Sequence, residues 1–313
     1  MENKNVRILF MGTPSIAVSM LESLWEDGYT IIGVVTQPDK KAGRKQALQM
    51  PEVKKKALEY GIPVYQPIRI KDEYEKLLDL KIDLIVTCAY GQFIPGKLLE
   101  YPTYGSVNVH ASLLPKLRGG APIHKAIIEG HKESGISIMR MIKKMDAGAV
   151  MSQCRVAIDE EDTMGSLYDK LAVAGAQLLS ESIPKIINGT AVFKEQDEAE
   201  ATFAYTIQKE EEHIDFSKDV ESVYNHIRGL IPSPVGYGLV NGKKLKFHKV
   251  RKLMREPNAA CGEILGIIDN GYAIACCDGI ILVDEIQLEG KAKMEAKVFF
   301  NGSGKQLLHQ IVE

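Results

Sequence analysis

The sequence predicts an α/β protein with a Rossmann-like, mainly parallel sheet in an N-terminal domain and a small OB-like β-barrel in a C-terminal one. Three observations carry that prediction. Strand-like apolar runs alternate with helical patterns as far as Asn188-Gly189, and an acidic stretch with Glu195, Asp197, Glu198 and Glu200 then breaks the rhythm. Beyond Ile207, short strands follow one another across Asn-Gly and Asp-Gly turns. The expected division is therefore a domain over 1–189, a linker over 190–206 and a second domain over 207–313.

Taken in order, residues 7–11 form an apolar run that reads as a buried strand. Gly12-Thr13-Pro14 is a turn with proline at a helix start, and 15–26 is an amphipathic helix. Further strands are expected at 30–36, 84–87, 106–109, 136–141 and 150–158, and helices at 52–60, 72–80, 122–129 and 163–188. In the second domain a helix over 220–230 leads into Pro232-Ser233-Pro234. Strands then fall at 237–240, 245–250, 262–268, 272–277 and 280–286, with turns at Asn241-Gly242, Asn270-Gly271 and Asp278-Gly279.

Composition narrows the class. At 45% hydrophobic and 26% charged over 313 residues, the chain reads as a soluble globular protein with room for two domains. Its five cysteines, at 88, 154, 261, 276 and 277, form no C-x-x-C pair and no zinc-like cluster with histidine. An odd count also argues against a disulfide framework, so a cytoplasmic compartment and no structural metal are expected. The apolar run at 8–11 is too short for a signal peptide or a membrane span.

The net charge is only −2, but the basic residues cluster. Residues 40–56 hold Lys40, Lys41, Arg44, Lys45, Lys54, Lys55 and Lys56 against Glu52 alone, and residues 243–255 hold Lys243, Lys244, Lys246, Lys249, Arg251, Lys252 and Arg255 against no acid. Either stretch alone reads as a solvated loop or hairpin. Two of them in a nearly neutral chain point to a polyanionic partner.

Candidate chemistry concentrates in Asn108-Val109-His110 and the loop after it. In a strand, positions i and i+2 share a face, so Asn108 and His110 stand side by side before Ser112-Leu113-Leu114-Pro115 carries the chain into a loop. An amide donor beside an imidazole suits a carbonyl that must become an oxyanion. The loop reaches a helix start at Pro122, and Asp146, just past the strand ending at Met141, can reach the same edge of the sheet and assist proton transfer at His110. A dinucleotide site is not expected, because Gly12 is followed by Thr-Pro-Ser-Ile-Ala and the G-x-G-x-x-G pattern is absent. Tyr90-Gly91-Gln92-Phe93-Ile94-Pro95 reads equally as a plain turn or as an apolar wall for a flat ring. His124 reads as a packing or surface residue, and the remaining histidines carry no assigned role.

These residues resemble the methionyl-tRNA formyltransferases. The resemblance lies in Phe10-Met11-Gly12-Thr13-Pro14, Gln37-Pro38-Asp39 with Ala42-Gly43-Arg44, Ala89-Tyr90-Gly91, Asn108-x-His110, Ser112-Leu-Leu-Pro115-x-x-Arg118-Gly119-x-Ala121-Pro122 and Met145-Asp146-x-Gly148, and it spans both domains. The Asn/His/Asp set and the Ser-Leu-Leu-Pro loop are shared by the wider group of 10-formyltetrahydrofolate-dependent formyltransferases. They identify the chemistry rather than the acceptor.

The resemblance implies transfer of the formyl group of 10-formyltetrahydrofolate to the α-amino group of methionyl initiator tRNA, without a metal. It makes Asn108, His110 and Asp146 the catalytic set, and places the folate against Tyr90, Phe93, Ile94, Ser112, Leu113, Leu114 and Pro115. It implies tRNA contacts at Lys40, Lys41, Arg44 and Lys45, within a basic insertion over 37–51, and at Lys243, Lys244, Lys246 and Lys249 of the OB-like domain. A monomer is expected. A glycinamide ribonucleotide enzyme would stop near residue 200, whereas a sugar-nucleotide N-formyltransferase using the same donor and a 10-formyltetrahydrofolate hydrolase are the alternatives. The family often carries tryptophan where this chain has Pro232-Ser233-Pro234-Val235-Gly236.

Overall fold

The computed structural model describes residues 4–42 and 47–313 and divides the chain into two compact units. The first takes the chain up to Gly119, Ser134–Ala157 and Tyr168–Ala204; the second takes Gly120–Glu133, Ile158–Leu167 and Tyr205–Glu313. Two segments from the expected first domain thus fold with the second unit, and residues 190–204 of the expected linker over 190–206 fold with the first. Backbone pairing explains the latter: Val150 and Lys194 exchange hydrogen bonds of 2.8 and 2.9 Å, and Arg118 accepts from Ala204 at 2.7 Å.

In the first unit, β1 (Arg7–Gly12) is buried from Ile8 onward and has a parallel neighbour on each side, β2 (Thr30–Val35) and the strand at Leu84–Cys88. Between β1 and α1 (Ser15–Glu26), Gly12 makes a packing turn: a Cβ there would lie 2.7 Å from that of Ala17 and 3.0 Å from the carbonyl oxygen of Cys88. After β2 the chain forms a two-stranded hairpin, β3 (Lys40–Ala42) and β4 (Ala47–Gln49). Then come α2 (Glu52–Glu59), β5 (Val64–Tyr65), α3 (Ile70–Glu73), α4 (Glu75–Leu78), β6 (Leu84–Cys88), α5 (Gly96–Leu99) and β7 (Ser106–His110). The helix expected over 72–80 is two single turns joined at Tyr74.

Next come α6 (Pro122–Ile128), β8 (Glu133–Arg140), β9 (Val150–Ala157) and α7 (Met164–Ile187). The seven-stranded sheet runs β5-β2-β1-β6-β7-β8-β9. Pairing is parallel from β5 to β7 and antiparallel between β7 and β8.

The second unit contains α6, α8 (Val220–Gly229) and an antiparallel sheet in the order β10 (Tyr237–Val240), β11 (Lys243–Leu253), β14 (Ile280–Leu288), β13 (Gly271–Ala275), β12 (Ile264–Ile268). A short β15 (Met294–Glu295) pairs with β14 and leads into α9 (Ala296–Asn301). The C-terminal tail joins the two edge strands. Glu313 exchanges backbone hydrogen bonds with Leu239, and residues 309–312 bond to Gly262 and Ile264. Asn241 and Gly242 both take positive φ at the β10–β11 turn, as expected. At the next hairpin the left-handed pair is Asp269-Asn270, one residue earlier than expected, and Gly271 opens β13. A Cβ on Gly271 would meet that of Leu282 at 2.8 Å, so this glycine serves packing rather than the turn.

All five cysteines are free. Among the described residues no helix is long and apolar enough to cross a membrane, and no group of three or more His, Cys, Asp or Glu could hold a metal ion.

Candidate functional site

Asn108 and His110 lie on one face of β7. Thr87, directly across on β6, donates its hydroxyl to Asn108 Oδ1 at 2.7 Å. That bond fixes the amide: the oxygen is turned toward Thr87, and the Nδ2 hydrogens have no acceptor among the described residues. Sequence reading missed Thr87, although its strand position was legible; only the parallel register of β6 on β7 puts it beside Asn108.

His110 is buried, with 6% of its surface exposed. Its Nε2 lies 3.0 Å from the carbonyl oxygen of Leu117, and its Nδ1 lies 3.8 Å from Asp146 Oδ2. The Leu117 carbonyl accepts from the ring, and a positive φ of 57° at Leu117 sets the backbone there. A neutral ring donating from Nε2 turns a lone pair toward the carboxylate; a charged ring turns an N–H toward it. As the ring sits, the uncommitted donor at this strand end is Asn108 rather than both side chains.

Asp146 arrives by a route the sequence did not suggest. Because β8 is antiparallel to β7, its last residue, Arg140, pairs with Val107, and His110 pairs with Ser137 in mid-strand. The 141–149 loop therefore starts beside the beginning of β7 and must fold back to bring Asp146 to His110. The return is tight. Asp146 takes a left-handed φ of 49°, and a Cβ on Gly148 would lie 1.9 Å from the carbonyl oxygen of Arg140. Asp146 Oδ2 also accepts the Gly119 backbone N–H at 2.9 Å, which ties the two site loops together.

The loop after β7 is braced by its neighbours. Ser112 Oγ donates to Lys116 O at 2.6 Å, Ser137 Oγ donates to Ser112 O at 2.6 Å, and Gln153 Nε2 donates to Leu114 O at 2.9 Å. Leu117 and Arg118 donate their backbone N–H groups to the side chain and carbonyl of Thr202, each at 2.9 Å. The Arg118 guanidinium is fully buried: Nε and Nη2 donate to Gln196 Oε1 at 3.0 and 2.9 Å, and Nη2 also donates to Glu198 Oε1 at 3.0 Å. A buried charge without such partners costs several kcal/mol, roughly. Arg118 and, next, Lys144 hold the Glu198 carboxyl down to about 2. Gln196, Glu198 and Thr202 are thus site-supporting residues that sequence reading assigned to a linker.

Of the residues expected against a flat ring, Tyr90, Ser112 and Leu114 are buried, Ile94, Leu113 and Pro115 are half-buried, and Phe93 is 74% exposed. Tyr90 packs in a core cluster with Leu9, Met11 and Val35, its hydroxyl has no hydrogen-bond partner among the described residues, and burial pushes its pKa upward. Its carbonyl accepts from Thr13 Oγ1 and Gln37 Nε2 at 2.9 and 3.1 Å.

The basic stretches look different once folded. Lys40 and Lys41 are exposed on β3, while Arg44 and Lys45 lie outside the described residues. The other lysines of that stretch are neutralised: Lys54 by Asp39, Lys55 by Glu52, and Lys56 by Glu22 and Glu59. On β11, Lys244 sits 3.7 Å over the Tyr237 ring, Arg251 pairs with Asp284, and Lys252 pairs with Glu160 and Glu221. Lys243, Lys246 and Lys249 have no ion pair among the described residues.

Comparison with known proteins adds a lineage to this geometry. The formyl transferase family matches residues 4–183, and the formyl transferase C-terminal domain matches residues 206–304. The chain is 49% identical to the methionyl-tRNA formyltransferase of Bacillus licheniformis over 303 residues, 96% of each protein. It is also 49% identical to that of Bacillus cereus strain AH187 over 305 residues, 96% of this chain and 97% of the relative.

Among solved structures, an N-formyltransferase from Helicobacter canadensis, in complex with folinic acid and dTDP-3-aminofucose, superposes with a TM-score of 0.68 at 21% identity. It covers 89% of this chain and 99% of its own. HypX from Aquifex aeolicus, in complex with tetrahydrofolic acid, gives 0.67 at 17% identity over 97% of this chain and 48% of its own. At those identities the two structures speak for the fold alone.

Proposed function

The chain belongs to the formyl transferase family, and we propose that it transfers the formyl group of 10-formyltetrahydrofolate to the α-amino group of methionyl initiator tRNA, in the cytoplasm and as a monomer. The observation that carries this reading is 49% identity, along nearly the whole chain, to proteins named for that reaction.

The donor set fits the proposed co-substrate. An amide whose oxygen is already bound, leaving Nδ2 to donate, matches a formyl oxygen and does not match a cation, which would need an acceptor. When bound, the folate supplies an activated formyl carbon. Asn108 Nδ2 donates to the formyl oxygen as that oxygen gains negative charge. His110, in its charged form, shifts its Nε2–H from the Leu117 carbonyl to the same oxygen, and Asp146 keeps the Nδ1 side oriented. An α-amino group titrates near about 7.7–8.0 and an ester neighbour lowers that value, so a substantial neutral fraction exists near pH 7 and the chain needs no strong base to free it. As the carbon–amine bond forms, Asp146 accepts the proton the amine releases, and that proton ends on N10 of the folate as the carbon–N10 bond breaks. Phe93, Ile94, Leu113 and Pro115 offer apolar surface to the ring, while buried Tyr90, Ser112 and Leu114 shape that surface from beneath. Lys40, Lys41, Arg44 and Lys45, together with Lys243, Lys244, Lys246 and Lys249, meet the phosphates of the tRNA.

The test is a rate measurement with labelled donor and charged initiator tRNA. Asn108→Ala loses roughly a hundredfold in turnover, about 2.7 kcal/mol of transition-state stabilisation, with its fold intact. Near-normal turnover in a folded Asn108→Ala protein would remove the residue from the mechanism.

A further inference from the structure

Residues 194–204 run across both loops of the site. Lys194 pairs with Val150 at the foot of the Asp146 loop, and Thr202 and Ala204 bond to Leu117 and Arg118 in the other loop. Between those anchors, Gln196 Nε2 donates to two carbonyl oxygens at once, those of Asp146 at 2.8 Å and Gly148 at 2.7 Å. Its Oε1 accepts twice from Arg118. Glu198 makes a parallel link, from Arg118 Nη2 at 3.0 Å to Lys144 Nζ at 2.6 Å. We propose that this segment is a positioning strap, and that Gln196 is the positioning residue that holds the Asp146 carboxylate on His110; this deepens the formyl-transfer reading above and rests on it.

The chemistry of an amide is what the position requires. Toward the Asp146 loop the side chain must give two hydrogens to carbonyls, and toward Arg118 it must accept from a cation. Glutamate could do only the second, and lysine or arginine only the first. Both carbonyls belong to the turn around Asp146, which carries a left-handed φ and leaves no room for a Cβ at Gly148. Such a turn persists only where its surroundings hold it. On the other side Arg118 is fully buried, so the strap is tied to a group that cannot drift. Asp146 Oδ2 accepts the Gly119 N–H at 2.9 Å and faces His110 Nδ1 at 3.8 Å. A displacement of the turn by about an ångström would lose both, at a cost of roughly a hundredfold in rate.

The test compares wild type with Gln196→Met, close in size but unable to serve as donor, and Gln196→Glu, which keeps an acceptor for Arg118. Each is also made with Asp146→Asn. Single-turnover transfer of labelled formyl groups to methionyl initiator tRNA gives the rate, steady-state kinetics give kcat and KM separately, and amide exchange at Gly119 reports the Asp146 contact without any turnover. We expect both variants to lose roughly a hundredfold in kcat, with KM for both substrates nearly unchanged and faster exchange at Gly119. Added to Asp146→Asn, they should cost little more, because the group they position is already gone. Full activity in either variant, multiplicative losses with Asp146→Asn, unchanged Gly119 exchange, or failure of both variants to fold would overturn the proposal. A wild-type protein that formylates no methionyl-tRNA would instead overturn the functional reading, and the Gly119 measurement would still judge the strap.

Discussion

Three histidines of the second unit have pKa values below the ordinary one, and in each case burial is the largest cause: His124, His226 and His248. His226 Nε2 is 2.7 Å from the carbonyl oxygen of Glu211, and His124 Nε2 is 3.2 Å from that of Ser233. The folded protein resists a proton that the unfolded chain accepts near pH 6.5, so the unfolded state gains stability as pH falls through that value toward the lower folded pKa values. Stability in urea should therefore hold from pH 8 to 7 and decline as pH falls below about 6.5. His226→Gln should decline less steeply; a slope identical to that of wild type would count against the burial argument. The acids with lowered values, such as Glu198, act in a separate window below about 4.5.

At the same scale, Asn108 and His110 were legible because strand alternation alone puts them on one face. Thr87 was not, since its bond to Asn108 depends on which strands are neighbours and in what register.

At the scale of elements, the alternation of strands and helices in the first half and the glycine-marked hairpins in the second were readable from periodicity and turn chemistry. What escaped were features built by pairing across long sequence distances. The tail over 309–313 bridges β10 and β12 through backbone groups whose side chains carry no strand pattern. The strap over 194–204 is polar and acidic, the composition of a linker, yet its polar side chains face partners in the site loops. The basic stretch over 40–56 hid a hairpin and overstated its charge, because Lys54, Lys55 and Lys56 are matched by acids.

That sorting predicts which lysines matter for a polyanion. Glutamine at Lys243, Lys246 or Lys249, or at Lys40 or Lys41, should weaken tRNA binding and lower the slope of log K against log salt by roughly 0.7–0.9 for each phosphate left without its cation. Glutamine at Lys56 should leave the slope alone. Fluorescence titrations over a range of salt concentrations decide the matter, and a weakening at Lys56 equal to that at Lys246 would contradict it.

At the scale of the whole molecule, the two units divide the work differently from the two sequence domains. Segments 120–133 and 158–167 interrupt the first unit yet fold with the second, where α6 meets α8 so closely that a Cβ on Gly229 would lie 2.5 Å from Ile128 Cγ1. Asn108, His110 and Asp146, the residues to which the proposed function gives the chemistry, all fall in the first unit. On the proposed function, acceptor choice belongs to surface outside those three residues, and a comparison of acceptors reads it directly. The decisive measurement offers labelled 10-formyltetrahydrofolate with charged initiator tRNA, charged elongator tRNA and an amino-sugar nucleotide in parallel reactions. Label should pass to the methionine of the initiator tRNA and not to the sugar; transfer to the sugar nucleotide alone, or release of formate with no acceptor present, would contradict the proposed function.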